Sequence, residues 1–88
     1  MSAREMFKKL GYKQKIQDNV IYYFKEVYIP KKYGHILFYH INFILNDKEL
    51  YTSKNLDYKE LQAINQQVKE LGWLDEWWNK RNIRRFKK

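Results

Sequence analysis

The chain of 88 residues has no cysteine, so disulfides, thiolate zinc sites and a thiol nucleophile are all excluded. It has one proline and three glycines, too few for a Gly-rich phosphate-binding loop or a Pro-rich linker. Long hydrophobic runs are missing as well. The longest apolar-rich stretch, Ile36 to Leu45, is interrupted by His40 and Asn42 and is far short of a membrane-spanning helix. The opening MSAREMFKKLGY has no apolar core of signal-peptide length. The expectation is a soluble cytoplasmic protein, and membrane association is not expected. No internal repeat or low-complexity segment is visible.

Hydrophobic residues are abundant (44%), and aromatics reach 18%, which is too much large apolar material for a disordered chain. Charge is distributed unevenly. The net charge is +8, from 18 Lys and Arg against 10 Asp and Glu. Six of those cations, Lys80, Arg81, Arg84, Arg85, Lys87 and Lys88, fall in the last ten residues, where there is no anion. Residues 1–78 therefore hold 12 cations against 10 anions, or +2. A near-neutral body ending in a cationic tail implies an acidic partner.

Periodicity divides the body into elements. Ser2-x-x-Glu5 is a capping box, and Ala3, Met6, Phe7 and Leu10 follow at helical spacing up to Gly11, so a first helix is expected over 3–10. Lys13 to Asn19 is mostly polar and reads as a connection. Val20 to Ile29 is rich in β-branched and aromatic residues and closed by Pro30, which marks a strand. His35 to Leu45 is a second strand. Its odd positions Leu37, Tyr39, Ile41, Phe43 and Leu45 should look toward the helices, and its even positions outward. Glu49 to Ser53 is a short third strand. Asp57-x-x-Glu60 opens a second helix over 58–71, with Leu61, Ile64, Val68 and Leu71 as its buried stripe and Gly72 as its stop. The expected fold class is α+β. It is a two-layer sandwich of helix, three-stranded antiparallel meander and helix, with an appended C-terminal segment, helical or frayed and basic. Residues 1–73 form the body and residues 74–88 the Trp-rich, basic extension.

Two segments, SAREMFKKLGY (residues 2–12) and ELQAINQQVKELGW (residues 60–73), resemble the ends of small uncharacterised proteins from phages and prophages of Gram-positive bacteria. In those proteins a helix ending in LGY, an aromatic-rich sheet and a helix ending in ELGW recur. The resemblance runs over residues 2–73 and leaves out the extension. It implies a phage accessory protein working in the bacterial host cytoplasm, and it carries no catalytic residues. The order of elements is also similar to double-stranded RNA-binding domains and to HicA-type messenger RNA interferases. The start of the second helix, Asn55 to Glu60, lacks the Lys cluster of the former. Gly34-His35 is only a faint echo of the latter.

Candidate chemistry is sparse. His35 and His40 are five positions apart on one strand and so take opposite faces, which prevents joint metal binding. His40 as a general base competes with an ordinary sheet histidine. Asp57 with Glu60, and Asp75 with Glu76, are explained by helix capping and the helix dipole. No catalytic residue, metal ligand or cofactor is expected, and the chain reads as a non-enzyme. Phe38, with Tyr22 and Phe24 in the right register, offers an outward aromatic face able to stack bases, or simply to pack. The expected partner-binding residues are Trp77, Trp78, Lys80, Arg81, Arg84, Arg85, Lys87 and Lys88. Arg makes bidentate phosphate contacts, and Trp and Arg anchor interfaces. The same segment could instead be a solubilising end. The function expected is stoichiometric binding to a host protein or ribonucleoprotein with an acidic surface, inhibiting a host or anti-phage defence factor. Direct RNA or DNA binding through the tail is the alternative, and a small RNase-type toxin the third.

Overall fold

The computed structural model describes residues 1–30 and 35–73, His35 by its backbone alone. In chain order the elements are α1 (Ala3–Lys9), β1 (Lys13–Gln17), β2 (Val20–Ile29), β3 (His35–Ile44), β4 (Glu49–Thr52) and α2 (Tyr58–Glu70). The strands form one antiparallel sheet in the order β1-β2-β3-β4. Both helices pack on the same face of it, giving an α+β sandwich of two layers. The expected meander of three strands is thus corrected to four, because the segment read as a connection is the edge strand β1. Its two-residue loop, Asp18-Asn19, joins Gln17 to its ladder partner Val20. Asp18 has φ +54°, a conformation that Asp tolerates better than most residues.

Both capping boxes form. The Ser2 side chain accepts from the Glu5 N–H and the Asp57 side chain from the Glu60 N–H, while each glutamate reaches back to its cap. Gly11 and Gly72 follow the helices at φ +94° and +75°, the left-handed conformation that reverses a chain after a helix. The turn at Gly11 sends Tyr12 straight into the core, its N–H donating to the Phe7 carbonyl.

The core is an aromatic cluster. Phe7 of α1 stacks on Tyr23 of β2 with ring centres 3.8 Å apart, and Tyr12 and Phe43 meet Phe7 edge-on. Ile21, Ile41, Ala63 and Ile64 complete the buried set, and Trp73 leans on Phe43. On β3 the expected inward face is right for Ile41 and Phe43, which are fully buried, and for the half-buried Tyr39. Leu37 is a correction. It is 44% exposed, because β2 and β3 run on past the helices and past their neighbours. β1 pairs with β2 only as far as Phe24, and β4 with β3 only from Ile41 onward. Residues 25–29 and 35–39 therefore form a two-stranded arm.

The stripe expected on α2 is also corrected. Ile64 is buried, and Val68 and Leu71 pack against the core, but Leu61 is 51% exposed. The buried positions are Glu60, Ala63, Ile64 and Gln67, at i, i+3, i+4 and i+7. The face is turned toward two polar residues because both are satisfied from below. Tyr12 Oη donates to Glu60 Oε2 and Tyr23 Oη to Gln67 Oε1, each at 2.5 Å. A helix chosen by apolarity alone would roll Leu61 inward and take away the acceptors of both tyrosine hydroxyls, leaving Tyr23 only the bond it accepts from Gln14.

Candidate functional site

Two places gather chemistry-bearing side chains. The first is the inner network around Glu60. Its carboxylate takes Lys54 Nζ at 2.7 and 2.9 Å, Tyr12 Oη at 2.5 Å and the Asp57 N–H at 2.9 Å. Burial is the largest influence on the Glu60 pKa and pushes it up. The donors from Lys54, Tyr12 and Asp57 together outweigh burial and hold the carboxyl below its ordinary value. Tyr12 is pushed well above the usual phenol range, by burial first and by the Glu60 anion second. Both Glu60 oxygens accept from groups of the fold itself. The cluster ties α2, the residue before β1 and the loop before α2 together, and it is a strut of the fold.

The second place is the sheet face that no described helix covers. The ladder fixes which residues share it. One row runs Lys15 on β1, Tyr22 on β2, Asn42 on β3 and Tyr51 on β4. The next runs Lys13, Phe24 and His40. Glu26 and Phe38, then Tyr28 and Ile36, continue the face onto the arm. Tyr28 is 64% exposed, Ile36 57%, Tyr51 52% and Phe38 49%. Burial of large apolar groups normally contributes about 25 cal/mol per Å², so an open cluster of this kind marks a contact surface. Lys15, Gln17, Tyr22, Phe24, Phe38 and His40 line a shallow depression of about 500 Å³. The Phe38 and His40 rings lie 6.3 Å apart and close to parallel. The His40 backbone is clamped by Ser53, whose Oγ accepts from the His40 N–H and whose N–H donates to the His40 carbonyl. The Oδ1 of Asn42 is buried on this face with no hydrogen-bond partner among the described residues.

The cationic flank of this face is the β1 edge. Beyond Lys13 and Lys15, a groove of about 600 Å³ between α1 and β1 is lined by Arg4, Glu5, Lys8, Lys13 and Gln14 among others. Glu5 is already engaged by the Ser2 cap, whose hydrogen bonds hold its carboxyl below the ordinary value. On the open face itself the strands carry Glu26, at the start of the arm beside Lys13, and Glu49, at the far edge on β4.

The partner-binding residues expected from the sequence, Trp77, Trp78, Lys80, Arg81, Arg84, Arg85, Lys87 and Lys88, lie outside the described residues. Of the two histidines, His35 is placed only by its ladder position opposite Ile29, and His40 sits on the open face opposite Phe24. Tyr22, Phe24 and Phe38 are brought together on that face, as the outward reading of the even β3 positions expected. The sequence reading missed Lys13, Lys15 and Gln17. The signal was there, in the alternation KQKIQ followed by a two-residue Asp-Asn turn, but its polarity hid it. Among the described residues no group of three or more His, Asp or Glu is placed to hold a metal ion. No described helix is long and apolar enough to cross a membrane. Compared with known proteins, the chain matches no family model, no curated protein and no solved structure.

Proposed function

We propose that this protein acts by stoichiometric binding, presenting the open face of its sheet and the β2–β3 arm to an acidic macromolecule of the host, with a ribonucleoprotein as the form that partner takes. The observation that carries this reading is the run of exposed Tyr28, Ile36, Phe38 and Tyr51 on a face opposite both described helices. Two further features support it. An isolated two-stranded arm is marginal in water, so an apolar arm gains most from a partner. The chain's net charge of +8 favours an acidic one. The resemblance to small phage and prophage proteins adds the biological form: occupation of the partner blocks a host or defence factor.

The test is capture from bacterial lysate by the full chain and by a Phe38→Ser/Ile36→Ser variant, with folding of both checked by thermal melting. Both substitutions lie on the exposed arm, so the variant should melt like the parent. The parent should retain a partner that the variant releases. Equal recovery by the two proteins would remove the open face as the binding surface.

A further inference from the structure

We infer that what the open face takes is single-stranded nucleic acid, with bases stacked on Tyr22, Phe24 and Phe38 and the phosphate backbone following Lys13 and Lys15. This rests on the binding role proposed above and names the partner chemistry of that same face. The argument comes from the ladder. Each of two adjacent rows begins with a lysine at the sheet edge, crosses an aromatic ring and reaches a hydrogen-bonding side chain. The rows are Lys15–Tyr22–Asn42 and Lys13–Phe24–His40. A nucleotide offers the same three chemistries in the same order: an anion, a π-face and a polar base edge.

The two rows are related by two residues along each strand, so their stations stand about 7 Å apart on one surface. Phe38, next to His40 on the same face, adds a third ring. The depression between them, about 500 Å³ and lined by Lys15, Gln17, Tyr22, Phe24, Phe38 and His40, is shallow and open, as a stacking platform must be. Asn42 places a half-buried amide between the rings, its buried Oδ1 without a hydrogen-bond partner among the described residues. Phosphates leaving the platform over the β1 edge meet Arg4 and Lys8, which line the groove on the other side of Lys13. Glu49 lies on β4, away from that edge, while Glu26 shares a small depression with Lys13, Lys25 and Phe24 at the start of the arm, so the lysines outnumber the carboxylate on the β1 side. A duplex cannot use the platform, because its bases are already stacked on one another.

The experiment measures fluorescence anisotropy of a fluorescein-labelled single-stranded RNA of about 12 nucleotides, its DNA equivalent and the matching duplex, with the full chain. Single strands should bind more tightly than duplex, and the RNA and DNA arms decide which sugar is preferred. Phe38→Ala should weaken single-strand binding about 5- to 150-fold, the loss of one stacked base. Lys13→Gln with Lys15→Gln should flatten the slope of log K against log salt by about 1.4. Tyr58→Ala, at a still more exposed aromatic on α2 away from this face, should change nothing. Absence of single-strand binding, or binding untouched by both Phe38→Ala and the lysine pair, overturns the inference. If single strands fail to bind while the Phe38→Ser/Ile36→Ser variant still releases a nuclease-resistant partner from lysate, the nucleic-acid assignment falls and the binding function stands.

Discussion

Glu60 shows how much a single residue can carry in a small fold. It caps α2, accepts a hydrogen bond from Tyr12 and pairs with Lys54, all while buried. A carboxylate in that position is tolerable only with its donors present, so Glu60→Gln should cost about 1–3 kcal/mol in denaturant unfolding. The pH dependence follows from the direction of its shift. The folded carboxyl titrates below its ordinary value of 4.5, so between the two values the unfolded state binds more protons. The stabilisation is complete above about pH 4.5 and is lost as pH falls through the lowered value. Tyr12 acts at the other end, because its raised pKa means that stability falls once unfolded tyrosine ionises, above about pH 10. Glu60→Gln should therefore flatten the acid limb of a stability–pH profile measured by chemical denaturation, and Tyr12→Phe the alkaline limb. An acid limb unchanged in Glu60→Gln would mean that other carboxylates govern it.

Among the elements, β2, β3, β4 and both helices were legible because each has a period, a cap or a stop of its own. Two features were not. β1 hides because it is an edge strand with lysines on its open side, the device by which natural sheets avoid edge-to-edge pairing, and polarity was read as loop. The rotation of α2 hides because its buried face includes Glu60 and Gln67, whose hydrogen-bond partners are 48 and 44 residues away in the sequence. The candidate face was legible in its apolar half, Tyr22, Phe24 and Phe38, and illegible in its cationic half, since Lys13 and Lys15 join it only once β1 is a strand. Two measurements test these assignments. Ile64→Ala should cost about 2–4 kcal/mol through lost burial and a cavity, whereas Leu61→Ala, at a half-exposed site, should cost well under 1 kcal/mol. Equal losses would restore the apolar stripe. Asn19 holds the first hairpin against the second, its carbonyl accepting from the Leu45 N–H and its Oδ1 from the Asn46 N–H. Asn19→Ala should cost about 0.5–1.5 kcal/mol, and hydrogen exchange should rise at Asn46 before it rises at Leu45, whose bond is to backbone.

At the scale of the whole molecule, the two-layer build has a consequence for function. Both helices and the core aromatics occupy one side of the sheet, and two segments, residues 2–12 and 60–73, contribute to that side. Phe7 and Tyr12 come from the first segment, and Glu60, Ile64 and Trp73 from the second. The helices and the core aromatics build the body, which leaves the open face and the cationic last ten residues as two separate candidate contacts. The two can be separated by deletion. Among the described residues the buried hydrophobic core lies between Ala3 and Ile64, and Trp73 is the last of them packed against it. Removing Asn79 to Lys88 should leave cooperative melting intact. The same deletion takes the net charge from +8 to +2 and removes six cations. If the tail adds electrostatic grip to a platform that stacks bases, the truncated chain should bind single strands more weakly at low salt, with a salt slope flatter by up to about 4. It should still lose a further 5- to 150-fold on Phe38→Ala, since stacking does not depend on distant charge. A truncated chain that binds single strands with full affinity would assign the whole grip to the β1 edge. One that no longer responds to Phe38→Ala would place the contact in the tail and leave the face as an apolar surface for protein.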